Sequence, residues 1–195
     1  MFHSKPLILA SASPRRAEIL RSVGWPFEVV VADIDEAARR DETPEDYVQR
    51  LAREKAARIA AVQPSRFVLG ADTTVVVDGE LLGKPADACQ ARAMLRKLSG
   101  KWHDVFTGVA LVCVERALCA VAYERTRVLF AALSEREIEW YIATGEPMDK
   151  AGAYAVQGRA ALFIKRIDGD YWNVVGLPLR LVYELARTNG AIAIS

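Results

Sequence analysis

The chain has 195 residues, of which 52% are hydrophobic and 26% are charged, and its 26 basic residues exceed the 25 acidic ones by a single charge. This length and balance suit one globular domain with a substantial core and exclude a disordered chain. The near-neutral charge argues against binding to a long nucleic acid, so arginine clusters in this chain indicate a small anionic ligand.

Cysteine and histidine usage narrows the choice of metal and compartment. Three cysteines without CxxC spacing and only two histidines make a disulfide framework and a zinc site poor interpretations. Any metal is therefore expected to be a hard cation bound by carboxylates. No signal peptide and no apolar stretch of about 20 residues is visible, so we expect a cytoplasmic protein without membrane contact.

The segment LASASPRRAEIL predicts a short buried strand, residues 7–10, that leads into a helix. Ser13 is predicted as the helix N-cap and Pro14 as its first residue, where a missing N–H is harmless. Arg15 and Arg16 then oppose the positive end of the helix dipole. Together with the free backbone N–H groups they favour phosphate binding, and side chains that simply point to solvent are the alternative.

A second strand, an acidic loop and a long helix are predicted over residues 27–32, 33–42 and 44–62. The helix carries a buried apolar stripe at three- and four-residue spacing, formed by Val48, Leu51, Ala52, Ile59 and Val62. Lys55 falls inside this stripe. A buried ammonium group needs a partner, so the side chain of Lys55 either extends past the rim of the stripe to solvent or is aimed into the same cleft as Arg15 and Arg16.

The segment VLGADTTVVVDGELLGKP, residues 68–85, predicts a strand followed by a hairpin with an Asp78-Gly79 turn. Asp72 lies in the apolar strand, where an acid is rare unless it is paired or used. The hairpin is expected to return Lys84 towards Asp72, either as a structural ion pair or as part of a cationic site. A carboxylate of the acidic loop, with Asp72, could hold Mg²⁺ together with substrate phosphates.

The second half of the chain continues the alternation of helices and strands. Helices are predicted over 87–98, from a capping box at Ser134 and Glu137 to Thr144, and over 178–189. Strands are predicted near 104–114, 117–131, 153–156, 161–167 and 171–175. Because strands outnumber helices and several are consecutive, the predicted fold class is α/β with a mixed sheet.

The sequence contains no GxxxxGK[ST] loop, GxGxxG fingerprint or kinase motif set. Its charged features still converge on a site for a nucleoside triphosphate and a metal. The segments LASASPRRAEIL, LAREKA, GADTTVVVDGELLGKP, LRKLSGKWHDVFTGVAL and EPMDKAGAYAVQGRAALFIKRIDGDYWNVVGLPL occur in this order between Leu7 and Glu184. Together they resemble the Maf family of nucleoside triphosphate pyrophosphatases.

The resemblance implies a single Maf-like domain over residues 1–195 with a fold related to the inosine triphosphate pyrophosphatases. That fold is an elongated mixed β-sheet with flanking helices and two lobes around a central cleft, commonly in a homodimer. The implied reaction is hydrolysis of a nucleoside triphosphate to the monophosphate and pyrophosphate with a divalent metal, Mg²⁺ or Mn²⁺.

The resemblance also implies roles for individual residues. Asp72 is the implied general base, and Glu36 is its acidic partner for metal or water, so that both are candidate metal ligands. The implied phosphate-binding residues are Ser13, Arg16, Lys55 and Lys84. The positions that sort substrates within the family are Arg15, Thr73 and Gln157, a set that resembles the branch acting on dTTP and UTP.

An amide at Gln157 could read the O4/N3 edge of a pyrimidine through its paired donor and acceptor. Ala155-Val156 departs from the glycine and isoleucine expected there. Three alternatives stay open: the sister branch acting on 7-methyl-GTP, a nucleotide-binding regulator of cell division that does not cut its ligand, and a dimeric scaffold with a vestigial site.

Overall fold

The computed structural model describes residues 6–192, and these form a mixed α/β structure. The strands are β1 (Leu7–Ala10), β2 (Phe27–Val29), β3 (Val68–Val77), β4 (Glu80–Leu82), β5 (Trp102–Cys113), β6 (Leu118–Phe130) and β7 (Ile164–Asp168). The helices are α1 (Pro14–Ser22), α2 (Pro44–Ala60), α3 (Ala88–Leu98), α4 (Glu135–Ala143), α5 (Tyr171–Val175) and α6 (Leu179–Thr188). The predicted fold class is therefore confirmed.

The strands join in one seven-stranded sheet in the order β2-β1-β3-β5-β6-β7, with β4 paired to β3. β1 is parallel to both β2 and β3, and its residue Leu9 lies opposite Val29 and Leu69. β4 is antiparallel to β3, and β7 is antiparallel to β6. Parallel and antiparallel pairs in one sheet confirm the predicted mixed topology.

The chain divides into two compact units, and the boundary on β3 falls between Asp72 and Thr73. Of the described residues, unit 1 holds 6–72, 107–124 and 176–192, and unit 2 holds 73–106 and 125–175. The single domain predicted for residues 1–195, of which 1–5 and 193–195 lie outside the described residues, stays a prediction.

In unit 1, helix α2 packs closely against the sheet because glycines and alanines line the contact. A Cβ added to Gly70 on β3 would lie 2.1 Å from the carbonyl oxygen of Ala52, and one added to Gly108 on β5 would lie 2.2 Å from that of Val48. Neither position has room for a side chain. The predicted stripe of α2 is buried except for Val62, which is 73% exposed because the helix already ends at Ala60.

Unit 2 has a separate apolar core in which aromatic rings from several elements meet edge to edge. The ring centroids of Phe130 and Tyr154 are 4.9 Å apart, and those of Tyr141 and Phe163 are 5.4 Å apart. Helix α4 begins with the predicted capping box, since Ser134 and Glu137 exchange side-chain and backbone hydrogen bonds. This local motif anchors α4 at the edge of the core.

Two strands predicted in unit 2 are wrong. Residues 171–175 form helix α5, because the Asp170 carboxylate accepts hydrogen bonds from the backbone N–H groups of Trp172 and Asn173 and so caps a helix start. Residues 153–156 leave a 3₁₀ turn at Ala153 and enter a tight turn rather than a strand. The predicted strand at 161–167 begins later, at Ile164, after a 3₁₀ turn.

None of the helices between residues 6 and 192 combines the length and the apolar composition needed to cross a membrane.

Candidate active site

Helix α1 begins at the predicted place, with Ser13 at the N-cap and Pro14 as the first helical residue. The first turn carries no acidic residue, so nothing in that turn neutralises the positive end of the helix dipole. Ser13 donates its backbone N–H to the Ser11 hydroxyl at 3.2 Å, while its own side chain makes no capping hydrogen bond within residues 6–192.

Arg16 turns inward from the first turn of α1 and is only 8% exposed. Its Nε donates to the carbonyl oxygen of Gly176 at 2.8 Å, and its Nη1 donates to that of Ala71 at 2.8 Å. A further bond from Nη1 reaches the Ser11 hydroxyl at 3.1 Å. The alternative in which this side chain points to solvent is therefore wrong, and Arg16 fixes the start of α1 to the residue before Asp72.

Lys55 has the buried partner that its place in the apolar stripe required. Its Nζ lies 2.6 Å from Oδ1 of Asp72 and 2.6 Å from Oε1 of Glu36, so one ammonium group bridges two carboxylates. Lys55 is 7% exposed and Asp72 is 8% exposed, whereas Glu36 is exposed. The alternative in which the Lys55 ammonium group extends past the rim to solvent is therefore wrong, and we call Lys55, Asp72 and Glu36 the charged cluster.

The electrostatic surroundings change the proton affinities of this cluster. Burial raises the pKa of Asp72 above its ordinary value, while the positive charges of Lys55 and Arg16 oppose that rise without cancelling it. Burial also lowers the pKa of Arg16, and the negative charge of Asp72 acts against that change. A buried carboxylate with a raised pKa accepts a proton more readily than an exposed aspartate does.

The loop that carries Glu36 is held to α2 by two residues that the sequence analysis missed. The Tyr47 hydroxyl donates to the carbonyl oxygen of Glu36 at 3.0 Å, and Nη2 of Arg50 donates to that of Ala37 at 3.1 Å. Nε and Nη2 of Arg50 also bind the Glu42 carboxylate at 2.6 and 2.8 Å. This pairing lowers the pKa of Glu42 to about 2. No local sequence signal marked Tyr47 or Arg50, because their role comes from the loop that they bind.

The residues of the cluster fit a hard divalent cation of the kind that a triphosphate carries. Residues 6–192 contain no group of three or more histidine, cysteine, aspartate or glutamate residues that could hold a metal alone. They do offer two carboxylates, Asp72 and Glu36, bound to the same ammonium group. One or two carboxylates completed by phosphate oxygens form a common Mg²⁺ site.

The other predicted site residues have varied surroundings. Arg15 on α1 in unit 1 is half-buried. Thr73 follows Asp72 on β3 and is half-buried, Lys84 is exposed beyond the end of β4, and Gln157 is exposed on a turn; these three belong to unit 2. The hairpin register pairs Val75 with Leu82, so Lys84 leaves the hairpin at the end where Thr73 lies.

Comparison with known families is decisive at this point, because the family model described as "Maf-like protein" matches residues 6–189. The chain belongs to the Maf family. Membership covers nearly the whole chain, both compact units included, and it confirms the resemblance carried by the five sequence segments.

Close relatives of this Maf-family chain match nearly its full length. A dTTP/UTP pyrophosphatase of Symbiobacterium thermophilum is 57% identical over 184 residues, which are 94% of each chain. One of Syntrophus aciditrophicus is 50% identical over 98% of this chain and 94% of its own, and one of Geotalea uraniireducens is 54% identical over 95% and 96%.

The fold of this Maf-family chain also resembles a solved structure, that of the Ham1 protein of Staphylococcus aureus. The TM-score is 0.57 at 12% identity, and the match covers 94% of this chain and 99% of the other. At this identity the likeness concerns the fold alone.

Proposed function

We propose that this Maf-family protein hydrolyses dTTP and UTP to the nucleoside monophosphate and pyrophosphate. The observation that carries the proposal is the buried Lys55 ammonium bound to both Asp72 and Glu36, with Arg16 held nearby through Ala71. Relatives 50–57% identical over nearly the full length carry the name dTTP/UTP pyrophosphatase, which supports the same reaction.

Asp72 is the residue proposed to orient a water molecule and accept its proton as the water attacks the α-phosphorus. The carboxylate is suited to this because burial raises its pKa towards the range in which a general base works well. Lys55 holds Asp72 and Glu36 at one ammonium group, so both carboxylates are positioned before the substrate arrives.

The triphosphate is proposed to bind at the positive end of the α1 dipole and at the cationic side chains that the family resemblance implies. Backbone N–H groups after Ser13, and the side chains of Arg15 and Arg16, favour a negatively charged ligand there. Lys55 and Lys84 are the proposed lysines for the phosphate chain. Arg16 has a second task, because its bonds to Ala71 and Gly176 keep the first turn of α1 in place.

Asp72 and Glu36 are the residues proposed to hold a divalent cation, Mg²⁺ or Mn²⁺. When bound, such a cation neutralises charge that develops on the phosphate oxygens. Thr73 and Gln157, with Arg15, are the proposed specificity residues. The Gln157 carboxamide is exposed and offers both a donor and an acceptor to the pyrimidine edge.

The proposed assembly is a cytoplasmic homodimer, which rests on the family resemblance. Light scattering on the purified protein is expected to report twice the mass of the chain, and the mass of one chain would contradict the dimer.

A substrate panel tests the proposed reaction directly. Purified protein with Mg²⁺ or Mn²⁺ is given dTTP, UTP, dCTP, GTP and 7-methyl-GTP, and both pyrophosphate and monophosphate are measured. We expect dTTP and UTP to be cleaved with the highest kcat/KM. Preference for 7-methyl-GTP would assign the chain to the sister branch, and tight nucleotide binding without pyrophosphate release would make it a non-catalytic regulator.

A further inference from the structure

Gln157 is presented by a tight turn whose geometry the structure defines in full. The backbone N–H of Gly158 donates to the carbonyl oxygen of Ala155 at 3.0 Å and closes a four-residue turn. Val156 is buried in this turn, whereas Gln157 is exposed. The turn therefore has an apolar anchor on one side and displays the carboxamide on the other.

A single hydroxyl–carboxylate pair holds both ends of this turn. The backbone N–H of Ala155 donates to the Tyr141 hydroxyl oxygen at 3.2 Å, and the backbone N–H of Arg159 donates to Oε2 of Glu146 at 3.1 Å. The Tyr141 hydroxyl in turn donates to Oε1 of Glu146 at 2.8 Å. These two side chains, the Tyr141–Glu146 pair, thus bind the amides on either side of Gln157.

The pair is itself rigidly mounted. Tyr141 is fully buried and packs edge-on against Phe163, so its hydroxyl has a defined position. The carbonyl oxygen of Glu146 accepts a bond from Nζ of Lys150 at 3.2 Å, and its backbone N–H donates to the Thr144 hydroxyl at 3.2 Å. Both members are therefore fixed by contacts outside the turn.

Close packing between the pair and the turn explains the glycine at position 158. A Cβ at Gly158 would lie 2.2 Å from Oε1 of Glu146, so a side chain there would displace the carboxylate from its bonds to Tyr141 and to the N–H of Arg159. The carboxylate thus lies directly against the turn backbone. Charge-assisted bonds from backbone N–H groups to a carboxylate are stronger than neutral ones, so this contact restrains the turn more firmly than ordinary loop packing.

We propose that the Tyr141–Glu146 pair positions Gln157 for nucleobase selection, an inference that rests on the proposed function. To distinguish thymine or uracil from cytosine, the carboxamide must meet an O4 acceptor and an N3–H donor, a pattern that cytosine reverses. Such discrimination depends on holding both amide atoms within a fraction of an ångström. The pair contributes no atom to the base and acts through the backbone on both sides of Gln157.

The test compares Glu146→Gln and Tyr141→Phe with the wild-type protein, using dTTP and dCTP as substrates. Tyr141→Phe removes the hydroxyl and with it the bonds to Glu146 and to the N–H of Ala155, and Glu146→Gln replaces the carboxylate by a neutral amide; both changes preserve side-chain size. We expect kcat for dTTP to stay within about twofold, its KM to rise about tenfold, and the dTTP/dCTP ratio of kcat/KM to fall about tenfold. An unchanged ratio in both variants would overturn the inference.

A double-mutant cycle separates positioning from general loosening of the fold. If the pair acts through Gln157, Glu146→Gln added to Gln157→Ala changes the dTTP/dCTP ratio by less than about twofold. Independent, multiplicative effects of the two substitutions on that ratio would overturn the inference. Should Glu146→Gln fail to fold, the same cycle with Tyr141→Phe decides the question.

Glu139→Gln is the matched control. Glu139 lies on α4, the same helix as Tyr141, but its carboxylate forms an exposed ion pair with Arg92. We expect it to leave KM and the substrate ratio unchanged. A variant of the pair that only lowers the melting temperature, as a purely structural role would, contradicts the inference. Wild-type protein that cleaves neither substrate instead refutes the proposed function itself.

Discussion

The charged cluster of unit 1 and the Gln157 turn of unit 2 fix their important groups in opposite ways. In unit 1 the side chains themselves are bound, since Lys55 holds the carboxylates of Asp72 and Glu36 at 2.6 Å each. In unit 2 the side chain of Gln157 is exposed, and only the backbone on either side of it is bound, by Tyr141 and Glu146.

This contrast follows from the chemistry that each region is proposed to perform. A general base needs burial and neighbouring charge to set its proton affinity, and these require direct contacts to the carboxylate. A base-reading amide needs free donor and acceptor atoms, so only its backbone can be fixed. Substitutions in the cluster should therefore change kcat and stability, whereas those near the turn should change KM and selectivity with little effect on kcat.

The largest effect is expected from Asp72→Asn. It preserves the shape of the side chain but removes the proposed general base and one proposed ligand of the divalent cation. The kcat should therefore fall about 1,000-fold or more while the protein stays folded. Steady-state kinetics and a thermal melt check this. The control is Asp78→Asn in the hairpin turn, where asparagine suits the positive φ of 51° and activity should be unchanged. Near-normal turnover of Asp72→Asn would remove Asp72 from the mechanism.

Lys55→Met should show most clearly that the cluster links activity to stability. It leaves the buried Asp72 without its counter-ion, so we expect the free energy of unfolding to fall by about 3 kcal/mol. Adding Asp72→Asn should recover at least half of that loss in urea denaturation. Lys97→Met, which breaks an exposed pair with Glu80, is the control and should change stability by less than about 1 kcal/mol. Equal losses in both variants would contradict the coupling.

A pH-dependent effect of intermediate size is expected from His103 in the core of unit 2. Burial lowers its pKa to about 4, so the folded protein keeps it neutral at a pH where the unfolded chain already binds a proton. The contribution of His103 to the free energy of unfolding is therefore fully present above a pH of about 6.5 and decreases towards pH 4. About 2 kcal/mol of it is lost at pH 5. Urea denaturation at pH 7 and pH 5 measures it. In His103→Gln this pH-dependent loss of stability should be absent. A pH dependence identical to that of the wild-type protein would contradict the assignment.

The smallest effect is expected from Arg50→Lys, which keeps the charge but loses the forked contact with Glu42 and the bond to the loop at Ala37. Because that loop carries Glu36, we expect about 1 kcal/mol of lost stability and a severalfold lower kcat. Arg53→Lys, an exposed position on the same helix, is the control. A loss of stability without any change in kcat would show that the loop is not coupled to the cluster.

Much of the fold was predictable because the signals for it are local. The N-terminus of α1 at Ser13 and Pro14, the Asp78-Gly79 hairpin and the capping box of α4 each depend on residues within a few positions of one another. The exception at residues 171–175 is instructive. Its sequence, YWNVV, favours a strand by composition, but capping by Asp170 and the buried bonds of Asn173 to Val105 and Thr126 make it a helix.

Part of the site was also predictable, because a charge in an apolar pattern is visible in the sequence. Lys55 and Asp72 both break such a pattern, and the structure joins them in one ion pair. Tyr47 and Arg50 break no pattern strongly enough to be noticed. Their importance comes from the loop that they bind, and the path of that loop is not encoded in any local signal.

The amino-acid sequence by itself determined the family, the fold class and the charged residues that are out of place in apolar segments, because periodicity, capping and turn chemistry act over short separations. Only the tertiary structure decided which partners those residues meet. Lys55 reaches Asp72 and Glu36, and the Tyr141–Glu146 pair reaches both ends of the Gln157 turn, through close packing. The physical reason is that hydrogen bonds and ion pairs need contact in space, and for Lys55 on α2 this contact depends on how α2 fits over Gly70 and Gly108.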